Sequence, residues 1–125
     1  MKTIKFRAWF KPLKRMYLVK DLKFQRSGAI TVMTNHNGGT APNSYELMQF
    51  TGLEDKNGNY IYEGDIVRLN SDDTLIQQVV FKHGCFKFLL LMNGESEAFN
   101  HFNESQLEVI GNIYENPELL NGGSA

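Results

Sequence analysis

Cys85 is the only cysteine in this chain of 125 residues. It cannot close an internal disulfide, so a disulfide-stapled secreted scaffold is excluded and a cytoplasmic home is expected. No apolar run approaches the roughly 20 residues that a membrane-spanning helix requires. The first residues, MKTIKFRAWF, lack an uninterrupted apolar stretch and a small-residue cleavage site, which argues against secretion. Helical periodicity is absent over any useful length, and no internal repeat is visible. What remains is 42% hydrophobic and 22% charged, the balance of a soluble globular protein. At this length a core can form without metal or disulfide staples.

Reaction chemistry is equally sparse. Ser44, Ser71, Ser96 and Ser105 sit in loop-like contexts with no G-x-S-x-G elbow, and Gly38-Gly39 leads into neither a lysine nor a helix pattern. His83, Cys85 and His101 fall short of the four Cys or His ligands of a structural zinc site, so a turn histidine beside a buried small thiol is the expectation. No enzyme activity, cofactor or metal is expected.

Charge is present in quantity and is unevenly placed. Residues 1–26 carry nine basic side chains and one acid, Asp21; residues 27–125 carry four basic groups and thirteen acids. The net charge of −1 therefore conceals segments of +8 and −9. Such a division points to an anionic partner or to a complementary surface on a second copy.

Period-two patterning supplies the architecture. In TIKFRAWF, Ile4, Phe6, Ala8 and Phe10 alternate with Lys5, Arg7 and Trp9, which predicts a strand. A Pro12 turn and MYLVKDLKF then complete an N-terminal β-hairpin. AITVM, 29–33, reads as a short strand and NHNGGTAPNS, 35–44, as a loop and segment boundary. YELMQF, 45–50, fits a helical turn or a strand. LIQQVVFK (75–82), CFKFLLLM (85–92, apolar enough to be buried on both faces) and QLEVIGNIY (106–114) read as strands. Turns are expected at His83-Gly84 and Asn93-Gly94, with EAFNHF behind the latter. PELL suits one helical turn, and the NGGSA tail is expected to fray. About five strands between Asp65 and Tyr114 favour a small antiparallel barrel.

TGLEDKNGNYIYEGDIV, 51–67, is the most punctuated stretch. Asp55, Asn57 and Asn59 match the first three ligand positions of an EF-hand loop, but the glycine is displaced and Ile66 stands where the chelating glutamate belongs. The better reading is structural. Asn57-Gly58 makes a reversal, Gly64-Asp65 a bend into IVRL, and Gly111 a bulge that curves the last strand. The carboxylates of the loop are expected to be solvated.

Two partner readings and one bland reading compete for the basic end. Lys5, Arg7 and Trp9 on one strand, Lys11, Lys14 and Arg15 at the turn, and Tyr17 on the return strand could contact nucleic acid, with cations for phosphates and rings for stacking. The same charge could dock on the acidic segment of a neighbouring subunit, or simply face solvent.

FRAW (6–9), KRMY (14–17), YELMQFTGLEDKNGNYIYEGDIV (45–67) and EVIGNIYENPELL (108–120) closely resemble the YopX family of phage and prophage proteins. The resemblance implies small intracellular proteins, a β-rich fold with an SH3-like barrel, and homo-oligomers; it carries over no catalytic residue. The expected organisation is a mainly β chain with minor α content: a hairpin and loop region over 1–44, then the barrel and tail over 45–125.

Overall fold

The computed structural model describes residues 3–90, 96–98 and 104–120. Strand accounts for 56% and helix for 5%, so the protein is mainly β, with one sheet curled into a half-barrel. Two compact units divide the chain, Met1–Phe50 and Thr51–Ala125.

In the first unit, β1 (Phe6–Phe10) lies between β2 (Arg15–Leu18) and the start of β6 (Tyr45–Glu54), antiparallel to both. Flanked on both edges, β1 has Arg7 and Trp9 half-buried, whereas Ile4 precedes the strand and is 67% exposed. The expected buried face therefore begins one alternation later, at Phe6. A second sheet runs β3-β4-β5, from β3 (Asp21–Phe24), β4 (Ile30–Met33) and β5 (Gly38–Ala41). The chain passes between the sheets where the Val19 N–H donates to the Phe6 carbonyl (3.1 Å) and the Lys20 N–H to the Met33 carbonyl (2.7 Å). Fully buried Ala8, Val32 and Tyr45 form the core, with Phe10, Leu22 and Ile30 against them.

β5 corrects the expected loop over 35–44. Glycines here allow close approach: a Cβ on Gly39 would lie 3.0 Å from the Ser44 Cβ and 3.3 Å from the Tyr45 ring. The preceding turn is held by Thr34, whose hydroxyl accepts the His36 and Asn37 N–H groups (3.1 and 3.0 Å), and by Tyr45, whose hydroxyl bonds the Asn37 side-chain carbonyl. Polar side chains that suggest a loop are here satisfying a tight β4–β5 connection.

The second unit contains the end of β6, then β7 (Tyr60–Tyr62), β8 (Asp65–Leu69), β9 (Ile76–Lys82), β10 (Cys85–Leu90), β11 (Ser96–Ala98) and β12 (Leu107–Asn112). β6 and β7 end a four-stranded sheet, β2-β1-β6-β7, so YELMQF is strand and not a helical turn. β8 to β11 form an antiparallel meander and β12 returns to β8, giving the order β11-β10-β9-β8-β12. Short 3-10 turns occupy Glu104–Gln106 and Pro117–Leu120, the latter being the PELL turn. Ile61, Val67, Leu69, Val79, Phe88 and Leu107 make the core.

β10 is buried less than its composition suggests. Phe88 is its one buried side chain among the described residues, and Cys85 is exposed, which overturns the expected buried thiol and double-sided burial. An antiparallel sheet with one face packed leaves alternate residues such as Lys87 half-wet. Leu91, Met92, Asn93-Gly94, His101 and the NGGSA tail lie outside the described residues.

The β8–β12 register shifts between Val109 and Gly111, placing a bulge at Gly111. Its physical basis is space: a Cβ there would lie 2.5 Å from Asn116 Oδ1, the atom that accepts the Asn112 N–H at 3.2 Å. Gly111→Ala must displace Asn116, and overpacking of this kind costs about 1–3 kcal/mol. A lowered urea midpoint with an unchanged slope checks this; an unchanged midpoint contradicts it.

Candidate functional site

The site candidates fall in two places, one in each unit. In the first unit, pairing register decides which basic and aromatic groups share a face. Residues opposite one another in an antiparallel pair point to the same side. Trp9 pairs with Met16 and Arg7 with Leu18, while Ala8 pairs with Tyr17 and Phe10 with Arg15. Arg7 and Trp9 thus lie on one face of the sheet, and Arg15 and Tyr17 on the other. Tyr17 packs edge-on to Phe10 (6.2 Å) and near His36 (5.6 Å), beside the core. Lys11 is engaged, its Nζ donating to the Pro42 carbonyl (2.7 Å) and pairing with Glu46 (3.2 Å). Lys5 is exposed, and its carbonyl accepts the Phe50 N–H. Lys14, at φ +51 in the turn, and Arg15 are exposed and make no ion pair among the described residues. The seven residues singled out from the sequence therefore do not form one surface. A more continuous set of exposed cations, Lys14, Arg15, Lys20, Lys23 and Arg26, follows β2 and β3, and sequence reading had not grouped it.

In the second unit, the 51–67 stretch is built around two carboxylates. Asp55 and Asp65 are buried, at 4% and 1% exposure, which corrects the expectation of solvated loop acids. Asp55 Oδ1 accepts the Asn57 and Asn59 N–H groups (2.9 and 2.8 Å); Oδ2 accepts the Val109 N–H (2.9 Å) and the Asn59 side-chain amide (3.4 Å). Backbone bonds reinforce the clasp, Gly58 N–H to the Asp55 carbonyl and Lys56 N–H to the Leu107 carbonyl. Burial pushes the Asp55 carboxyl up, but the donors from Val109, Asn59 and Asn57 outweigh it and hold the group below its usual range. Asp65 Oδ2 accepts the Tyr62 N–H at 2.8 Å. Between them Gly64, at φ +89, donates its N–H to the Val79 carbonyl and accepts the Ile113 N–H, so one bend joins β8, β9 and the exit from β12. A side chain at that φ strains the backbone.

This arrangement uses the Asp55 oxygens for backbone donors, and a cation at Asp55 would have to displace them. Among the described residues no cluster of three His, Cys, Asp or Glu side chains is placed to hold a metal. Nearby, Arg68 bonds Glu108 (2.7 Å) and Asp73 (2.7 Å), and Lys56 lies 3.7 Å from Glu108. The Arg68 guanidinium holds the Glu108 carboxyl below its usual range. Sequence reading found the Asn57-Gly58, Gly64 and Gly111 turns but missed the roles of Asp55, Asn59 and Val109. An aspartate two residues before an Asn-Gly pair is an Asx-turn signal that was available for the first of these.

The fold and these stapled turns define a mainly β protein of two small sheet-bearing units. The sequence matches the family described as "YopX protein" over residues 5–121. It is 34% identical over 71 residues to the "SPbeta prophage-derived uncharacterized protein YopX" of Bacillus subtilis (strain 168); the match takes in 52% of this chain and 53% of the relative, so it spans about half the length of that relative. Among solved structures, protein EF1440 from Enterococcus faecalis is similar with TM-score 0.64 and 28% identity, over 96% of this chain and 99% of that one. The yopX protein from Bacillus subtilis gives TM-score 0.64 at 23% identity, over 98% of each chain. The chain belongs to the YopX protein family.

Two outcomes test the staple. Asp55→Asn keeps the shape but turns donors toward donors, and the loss is expected at about 2–4 kcal/mol, from breaking several charge-assisted bonds. Because the folded carboxyl titrates below the unfolded one, its contribution is complete above about pH 5 and is lost as pH falls through the unfolded and then the folded pKa. The gap between wild type and variant in chemical denaturation should accordingly narrow as pH falls below about 5. Gly64→Ala should cost about 1–2 kcal/mol in the same assay from left-handed backbone strain alone.

Proposed function

We propose that the protein is a non-catalytic phage or prophage accessory module that works by self-association in the cytoplasm. One observation carries this reading: the charge division coincides with the structural units. Met1–Phe50 holds nine basic and two acidic residues, a net +7; Thr51–Ala125 holds four basic and twelve acidic residues, a net −8. Two compact bodies of nearly equal and opposite charge in one molecule give every copy a complement for every other copy. The family and the prophage origin printed for its Bacillus relative support the phage assignment. The β11-β10-β9-β8-β12 order supports reading the second unit as an SH3-like barrel, and the β1–β2 pair supports an N-terminal hairpin.

Nucleic-acid binding is the second reading, favoured by the exposed cations along β2 and β3. It requires an affinity for DNA or RNA that falls steeply with salt, and flat or absent binding removes it. For self-association, light scattering of the intact protein at about 0.05 M and about 0.5 M salt is decisive, since the shorter screening length weakens contacts between exposed charges. A species larger than the monomer at low salt, shrinking at high salt, is expected; a monomer under both conditions overturns the proposal.

A further inference from the structure

The basic unit carries an edge whose chemistry is unusual. β3 is an outer strand of the β3-β4-β5 sheet. Along it and its flanks Lys20, Lys23 and Arg26 are exposed and join no ion pair among the described residues, with Asp21 the one acid in their midst. Phe24, on the same strand, is 72% exposed and alternates with Lys23, so the two flank the edge from opposite faces. Lysine on an edge strand ordinarily deters pairing with other chains. A large apolar side chain such as Phe24 on the same edge has the opposite effect, because its exposure is unfavourable until something covers it.

We infer that the β3 edge, Lys20, Lys23, Phe24 and Arg26, is the surface that receives the acidic Thr51–Ala125 unit of a second copy. This rests on the self-association reading and gives it a location. Charge complementarity selects the occupant. Of the twelve acids in the acidic unit, Asp55 and Asp65 are buried and Glu108 and Asp73 hold Lys56 and Arg68, which leaves eight acids against Lys82 and Lys87. The same unit exposes apolar rings of its own, Tyr60 at 42% and Phe81 at 50%. A second copy thus offers anionic and apolar groups together, at a concentration always equal to that of the basic edge. Nucleic acid also offers phosphates to the cations and a stacking partner to Phe24, but it does not accompany every copy of the chain.

The contact joins two different surfaces of the chain, so association buries unlike patches and proceeds head to tail unless a two-fold axis pairs both at once. Salt weakens it through the cations, and removal of Phe24 weakens it without changing its salt dependence.

Sedimentation velocity on the full chain tests this with Lys20→Glu/Lys23→Glu/Arg26→Glu and, separately, Phe24→Ser. Both changes sit on exposed side chains, and circular dichroism verifies that each variant keeps the wild-type fold. Wild type is expected to associate at low salt, the triple reversal to associate at least about tenfold more weakly with a flattened salt dependence, and Phe24→Ser to weaken severalfold with the slope retained. A triple variant that associates like wild type overturns the location while leaving self-association standing. Wild type that stays monomeric overturns both. A third arm titrates a single-stranded oligonucleotide: binding that the triple reversal abolishes, with self-association unaffected, overturns the inference in favour of nucleic acid.

Discussion

A single buried carboxylate organises the second half of this protein. Asp55 collects the N–H groups of its own turn and that of Val109, a residue 54 positions later. Burying an ionised group is costly unless hydrogen bonds replace its water, and here both oxygens are supplied. The result fixes the β6–β7 turn against β12 at the point where that strand bulges. Asp65 and Gly64 do the equivalent at the next bend, one through its side chain and the other through both backbone groups. The punctuated stretch is thus a set of fasteners, and its resemblance to a calcium loop comes from shared turn chemistry: oxygen atoms gathered inward, around backbone donors here and around a cation there.

Opposite net charge on the two units has a different status, because net charge bears on solubility and association and not on fold. Surface cations such as Lys23 and Arg26 hold no ion pair within the described residues, whereas Arg68 and Lys11 are committed to partners inside their own units. Committed charges add local order; uncommitted ones are available to something outside. That distinction moves attention from the β1 residues Arg7 and Trp9, half-buried by strands on either side, to the open β3 edge.

Much of this was legible in the sequence, and the failures have physical causes. Alternation and turn residues predict strands close to those seen in LIQQVVFK and QLEVIGNIY, and glycine positions predict the bends. Loop-like composition misleads at 35–44, because Gly38 and Gly39 serve close packing against Met33 and Tyr45. Composition also overstates the burial of β10, where alternation within one antiparallel strand leaves Cys85 in solvent. The Asp55–Val109 bond joins residues far apart in the chain, and no local pattern encodes it. For the basic surface, the sum of charge was readable but the pairing register was not, and the register is what separates Tyr17 from Trp9.

Native-state hydrogen exchange on the amides of Asn57, Asn59 and Val109 tests most directly whether the stretch is a structural fastener. If the Asp55 carboxylate holds the turn and β12 together, all three amides should exchange only through opening of the unit, with protection close to its full stability. Rapid exchange at Asn57 and Asn59, at the rate of an exposed loop, alongside a protected core would contradict the account.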